Sequence, residues 1–254
     1  MINRAPLKGF ARRVAPRYMA DRARRYEQSL RERLGIAQTG RDYVHDHGDR
    51  IQAGPFAGMR YPVELLTRAD CPVGKMRGSY ELELWAALER MVAALRSRSP
   101  TAFVDLGCAD GYYAVGLARS VPDLEVHAFD LAASARAATR ALAGANGTHV
   151  HLHGAADPKA LTRLAPKTVG LICDIEGAEV DVLTAEVATA LRTSHVIVEM
   201  HEGLRPGSCD ILLERFAQTH HAELIDQRHD DDPPLGAGEM RVGELRWGVF
   251  TPRE

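Results

Sequence analysis

Three short stretches of this sequence carry side chains whose types and spacing could do chemistry. In the first, Asp105-Leu106-Gly107-Cys108-Ala109-Asp110-Gly111 ends an apolar, β-prone run and opens into Ala114, Val115, Leu117 and Ala118. That reads as strand, tight loop, helix. Glycines there let bare backbone approach a ligand, and the orphan N–H groups of a helix start point outward. The other two are Asp174-Ile175-Glu176-Gly177-Ala178-Glu179 and Glu199-Met200-His201-Glu202, each closing an apolar run. Carboxylates gathered around an imidazole can deprotonate a hydroxyl, with His201 or an acid as base. Alternatively Asp174, Glu199 and His201 hold a divalent cation, Mg²⁺ or a transition metal, that binds the hydroxyl and lowers its pKa. Glu179 falls in the first turn of the helix expected to follow, and is read as serving the helix dipole.

From Thr101 the chain alternates short apolar runs with helical periodicity. Strands are expected at 102–106, 124–130, 149–153, 169–174, 195–201, 222–228 and 245–251, and helices at 111–120, 132–143, 157–165, 178–191 and 208–219. This order predicts an α/β fold, a mostly parallel sheet with helices on both faces. The last two strands have only a loop between them, which predicts an antiparallel pair. In such a sheet the ligand lies outside the carboxyl ends of the strands, at the switch in strand order, so strand-end residues are the candidates. Asp130 ends the second strand, where a carboxylate can take hydrogen bonds from both hydroxyls of a ribose; it could instead cap the next helix. The glycine pattern does not fit G-x-G-x-x-G, which argues against a nicotinamide cofactor.

The D-x-G-x-x-D-G loop resembles motif I of class I S-adenosylmethionine (SAM)-dependent methyltransferases. With Asp174–Glu179 and the strand running into Glu199 and His201, residues 78 to 250 resemble the FkbM-type family of these enzymes. The resemblance implies a Rossmann-like, seven-stranded methyltransferase sheet with its last strand antiparallel. It also implies SAM as cofactor, held by Asp105, Gly107, Cys108, Asp110, Gly111, Asp130 and Asp174, with Leu131, Ala155 and Ala156 around the adenine. Asp174, Glu176 and His201 would surround the acceptor, implied to be a hydroxyl of a small molecule or glycan. Gly78-Ser79-Tyr80-Glu81 resembles a lead-in segment that packs over the cofactor, and Ser79 is read as the cap of a helix running to Ser99-Pro100.

Two further patterns invite functional readings. His149, His151 and His153 share one face of the third strand and suggest a metal, but the family places that strand at the sheet edge, away from the reaction. Asp232-Pro233-Pro234-Leu235 is similar to the D-P-P-Y step of amino-group methyltransferases, but lacks the aromatic residue and follows the wrong strand.

Residues 1–35 hold ten Arg/Lys against three Asp/Glu, a balance of +7 in a chain of net charge −2. Periodicity predicts a helix over 20–34, ended by Gly35. The division expected is a basic helical arm with an ordered loop or lid over 1–78, then a methyltransferase domain over 79–254. The arm could grip nucleic acid or a protein substrate, or mediate self-association into a homo-oligomer; without interleaved aromatics, nucleic acid is not the expected partner. A non-catalytic SAM-binding module is a further alternative. The four cysteines have no zinc-like spacing, no apolar run is long enough to span a bilayer, and there is no secretory h-region, so a cytoplasmic location is expected.

Overall fold

The computed structural model describes residues 35–69, 71–98, 101–227 and 246–253. The helix expected over 20–34, the basic arm and the Asp232–Leu235 tetrad lie outside them. Gly35 does not end a helix within the described chain. It stands in left-handed conformation (φ 71°) ahead of α1, Ile36–His47.

Short helices α2 (Val63–Leu66) and α3 (Pro72–Arg77) and a 3₁₀ turn at Leu82–Leu84 lead into α4, Trp85–Arg96. Ser79 does not cap α4. The helix starts six residues later and no side chain caps it, because the 3₁₀ turn already supplies the change of direction. Buried Phe56, Met59, Tyr61, Leu66 and Met76 pack in one cluster with Leu88 and Met91 of α4.

The sheet comprises β1 (Ala102–Leu106), β2 (Glu125–Phe129), β3 (His151–His153), β4 (Thr168–Cys173), β5 (His195–Met200), β6 (His220–Asp226) and β7 (Arg246–Pro252). Its order is β3-β2-β1-β4-β5-β7-β6. The first five strands run parallel, and β7 is antiparallel to both β5 and β6. This is the Rossmann-like seven-stranded sheet expected. Between the strands run α5 (Tyr112–Ser120), α6 (Ala133–Ala145), α7 (Pro158–Leu164), α8 (Glu179–Val182), α9 (Ala185–Ala190) and α10 (Ser208–Phe216). The single helix expected over 178–191 is two, because Leu183 leaves helical geometry and Thr184 starts α9 by accepting a hydrogen bond from the Val187 amide.

Strand side chains alternate between faces, and the core divides accordingly. Phe103, Val126, Ile172 and Ile197 belong to the cluster with α4, α5 and the 43–76 segment. Val104, Phe129, Leu171 and Val196 belong to the cluster under α7, α9 and α10. Strand order reverses between β1 and β4, so their carboxyl ends open the cleft where a ligand belongs.

Candidate active site

The β1–α5 loop sits at that reversal. Gly107 (φ 85°) lies so close to β4 that a Cβ on it would fall 1.7 Å from the Asp174 carbonyl oxygen, and the Asp174 amide donates to the Leu106 carbonyl at 2.9 Å. Gly111 (φ 90°) precedes α5, and a Cβ there would meet Thr139 at 2.8 Å. Both glycines are therefore demanded by the fold's own packing as well as by any ligand.

Asp105 is buried beneath the loop and accepts from the Ala114 amide at 3.1 Å. Burial pushes its pKa up to about 8, with the charges of Asp174, Asp130 and Asp110 adding to the effect. Cys108 is also buried, 3.4 Å from the Thr139 hydroxyl, and burial raises its pKa. These two shape the loop from within. Asp110 does two jobs: Oδ1 accepts from the Tyr112 amide at 3.2 Å, and Oδ2 accepts from the Lys75 ammonium at 2.6 Å.

Asp130 stands one residue past β2, which stops at Phe129 and not at 130 as expected. Its Oδ1 accepts from the Ala132 amide at 2.7 Å and its Oδ2 from the Ala109 amide at 3.1 Å. The capping role is thus realised, and the same carboxylate braces the β1–α5 loop. Each oxygen keeps a second lone pair, so a ribose diol still fits the donor–acceptor inventory. Leu131 is 81% exposed beside it, and Ala155 and Ala156 follow β3 with Ala156 half-buried.

Beyond β4 and β5 the acids and the histidine converge. The His201 Nδ1 lies 2.8 Å from Glu179 Oε1. Its Nε2 faces Glu176 at 3.4 Å, Asp174 at 3.6 Å and Glu199 at 3.8 Å. Glu179 is fully buried and also accepts from the Ile175 and Gly177 amides, at 3.2 and 3.1 Å. Reading it as a helix-dipole residue is corrected here: although it opens α8, its carboxylate turns back to hold its own loop and the imidazole. Burial opposes its ionisation, but the His201 hydrogen bond and the backbone donors outweigh that and lower its pKa. An ionised Glu179 can only accept, so Nδ1 carries a proton and Nε2 is left to face the other three acids. Burial pushes the His201 pKa down, and the Glu179 hydrogen bond with the Asp174, Glu179 and Glu176 charges reverses this, for a net rise.

Glu176 (φ 55°) is held in left-handed conformation, a strained state for glutamate, and its side chain is 77% exposed. Ligand atoms of Asp174, Glu176 and His201 lie within 4.8 Å of one another. Glu176 therefore joins the candidate metal set that sequence spacing assigned to Asp174, Glu199 and His201. Glu202 does not belong to the cluster: its carboxylate accepts from the Gly207 and Cys209 amides and the Ser208 hydroxyl, which caps α10 and lowers its pKa.

The third-strand histidines stand at the far edge of the sheet, as expected. β3 contains only His151 and His153; the chain joins the ladder later than the alternation suggests, so His149 precedes the strand. His153 Nε2 lies 3.0 Å from His127 Nδ1, and His127 Nε2 lies 3.0 Å from Glu125. Among the described residues this group does not bring three ligand atoms together.

No family model matches the chain, and no curated protein matches it. Solved structures do match, among them class I SAM-dependent methyltransferases. An O-methyltransferase of tomaymycin synthesis from Streptomyces achromogenes, solved with SAM, is 15% identical, with a TM-score of 0.46 over 74% of this chain and 90% of that one. A precorrin-6y C5,15-methyltransferase from Geobacter metallireducens is 10% identical, with a TM-score of 0.46 over 67% of this chain and 88% of that one. A precorrin-8w decarboxylase from Methanobacterium thermoautotrophicum is 18% identical, with a TM-score of 0.44 over 65% and 88%. Their activities belong to those proteins, and one sheet carries more than one chemistry.

Among the described residues no helix is long and apolar enough to cross a membrane.

Proposed function

We propose that this chain is a SAM-dependent O-methyltransferase of the FkbM type, acting on a hydroxyl of a small molecule or glycan such as a sugar or secondary metabolite. One observation carries the reading. At the carboxyl ends of β4 and β5, beside the Gly107 loop, buried Glu179 fixes His201 so that Nε2 faces Asp174 and Glu176. Bound SAM would supply a methyl group on a cationic sulfonium. The carboxylates of Asp130 and Asp174 just past the ends of β2 and β4 suit a cation, and Asp130 suits its ribose.

The chain's own part is then positioning and proton handling. The β1–α5 loop, Asp130, Leu131, Ala155 and Ala156 would bind and orient the cofactor, so that the methyl carbon, sulfur and acceptor oxygen can align. His201 Nε2 would take the hydroxyl proton, and Glu179 would stabilise the imidazolium that results. Asp174 and Glu176 would hold the hydroxyl by hydrogen bonds.

A second reading is favoured by the clustering of Asp174, Glu176 and His201 ligand atoms. These residues, with Glu199 behind them, would hold a divalent cation such as Mg²⁺, and Glu179 would orient the histidine ligand from its far nitrogen, as carboxylates commonly do. In the metal-free form, the uncompensated carboxylates at the acceptor side disfavour a phosphate beside the acceptor hydroxyl.

The test is transfer of a labelled methyl group from SAM to a panel of hydroxylated acceptors, with and without chelator. Transfer lost in His201→Ala while SAM still binds supports the reading. Loss to chelator and recovery with Mg²⁺ or Mn²⁺ selects the metal form. Wild-type protein that binds NADH and not SAM overturns both.

A further inference from the structure

The β3 edge of the sheet carries a group of rings that the proposed reaction does not use. β3 is only three residues long and pairs with β2 through His127 opposite His151, Ala128 opposite Leu152 and Phe129 opposite His153. Side chains on one face of paired strands stand beside one another, so His151, His127, His153 and Phe129 line up as a ladder. The His151 and His153 rings lie nearly parallel to His127, at centroid distances of 4.9 and 5.3 Å, and Phe129 stacks on His153 at 4.5 Å. His127 is buried, His153 half-buried and His151 exposed, so the ladder is reachable from solvent.

Two nitrogens in it face each other. His127 Nδ1 and His153 Nε2 are 3.0 Å apart, and on the far side of His127 its Nε2 lies 3.0 Å from Glu125 Oε1. That last contact lowers the Glu125 pKa. An ionised carboxylate can only accept, so His127 Nε2 carries the ring proton and Nδ1 presents a bare lone pair to His153. Burial lowers the pKa of both His127 and His153, which keeps the rings in the neutral form that binds metals. The other oxygen of Glu125 is turned to Lys167 at 3.4 Å, so the carboxylate is anchored behind the imidazole.

Packing alone does not call for this arrangement. An aliphatic residue at 127 would fill the buried position with no polar edge to satisfy, and an edge strand that needs protection from pairing is commonly given a lysine. Two nitrogens bound to one tetrahedral metal at about 2.0–2.1 Å lie about 3.3 Å from each other, so a small tilt of the rings turns the facing pair into a chelating one. Carboxylate, histidine and metal commonly follow in that order, and Glu125 with His127 supplies the outer part of it. Three ligand atoms do not converge as the side chains stand. His151 is the neighbour whose exposed ring can turn toward the pair, since it stacks beside His127 and makes no hydrogen bond among the described residues.

We infer that the β2–β3 edge is a site for a transition metal such as Zn²⁺, Ni²⁺ or Cu²⁺, held by His127 Nδ1, His153 Nε2 and His151, with Glu125 behind His127. Imidazole nitrogens suit these ions and not Mg²⁺. On binding, the proton that His153 shares with His127 moves to its own Nδ1, which frees Nε2 to coordinate. The metal staples a three-residue edge strand to the rest of the sheet. It takes no part in methyl transfer, and the inference does not depend on the SAM reading.

The test is calorimetric titration of Zn²⁺ into the full chain, free of any affinity tag, with melting curves recorded alongside. Wild type is expected to bind Zn²⁺ and to melt at a higher temperature with it. His153→Gln should weaken Zn²⁺ binding at least tenfold, and His151→Gln, at an exposed position where folding is not at stake, at least threefold. His201→Ala, which removes the histidine of the acidic cluster, should keep the site. Zn²⁺ affinity unchanged in His151→Gln or in His153→Gln overturns the inference. So does loss of all Zn²⁺ binding in His201→Ala, which would assign the metal to the acidic cluster. A wild type that binds no Zn²⁺ overturns it as well, a result that requires no variant to fold.

Discussion

Asp105 offers a sharp test of how the β1–α5 loop is held. Its carboxyl is buried, with the Ala114 amide as donor and three other acids nearby, and its pKa is pushed up to about 8 from an ordinary 3.8. A folded-state pKa above the unfolded one means that the folded chain binds the proton more tightly. The associated stability is fully present below the unfolded pKa and is lost as pH rises through about 8. Each unit of difference is worth about 1.4 kcal/mol, so stability should fall with that slope across the window, on the order of 5 kcal/mol in all. Asp105→Asn keeps an acceptor for Ala114 and cannot ionise. Urea denaturation at several pH values from 5 to 8 should therefore show wild type losing stability relative to the variant as pH rises. Because the group lies under the loop, the variant should also bind S-adenosylhomocysteine within about threefold of wild type, since a buried amide replaces a mostly neutral acid. Parallel stability curves would show that Asp105 is ionised in the fold. Loss of ligand binding without loss of stability would show that it reaches the ligand directly.

Glu179→Gln keeps shape but removes the charge behind His201; turnover should drop about 10–100-fold with S-adenosylhomocysteine affinity nearly unchanged, by steady-state kinetics and calorimetry. Equal losses in both would make Glu179 a residue of the fold only. Asp130→Ala removes both the brace on the loop and the proposed ribose acceptor, and should weaken SAM binding by about 1–3 kcal/mol; unchanged affinity would place the ribose elsewhere. A chain starting at Ile36, without the basic arm, should stay folded and bind SAM like the full chain, with any deficit confined to acceptor turnover or self-association. A soluble truncate that has lost SAM affinity would contradict this.

The sheet was largely legible in the sequence because its strands are short, apolar and bounded by glycine, proline or acids. β1 runs over the expected residues, and the antiparallel ending followed from a missing helix. Helix starts were harder. Ser79 looks like a cap, but caps are local preferences that tertiary packing overrides, and here a 3₁₀ turn intervened. The site was legible as a set of strand-end acids and His201, while roles within it were not. Glu179 and Glu202 have the same chemistry in one dimension, yet one orients the imidazole and the other caps α10, a difference made by which backbone amides fold back toward each. The last acid of the D-x-E-G-x-E run was itself the available signal. Lys75 carried none: a lysine in a glycine- and proline-rich stretch acquires meaning only when α3 docks on a loop 35 residues away.

The placement of β7 between β5 and β6 has a consequence for how the protein is made. β5 carries Glu199 and leads into His201, and one flank of it is closed only by Arg246–Pro252, through pairs such as Glu199 with Trp247 and Ile197 with Val249. In sequence order β1 to β5 can pair first, but the strand bearing Glu199 then keeps an open hydrogen-bonding edge until Arg246–Pro252 arrives. Buried Glu199 in particular has no dry wall beside it before Trp247 docks. The candidate site is thus complete only once β7 has paired, and a chain cut off after β6 would display an unpaired, apolar strand edge in place of a formed site.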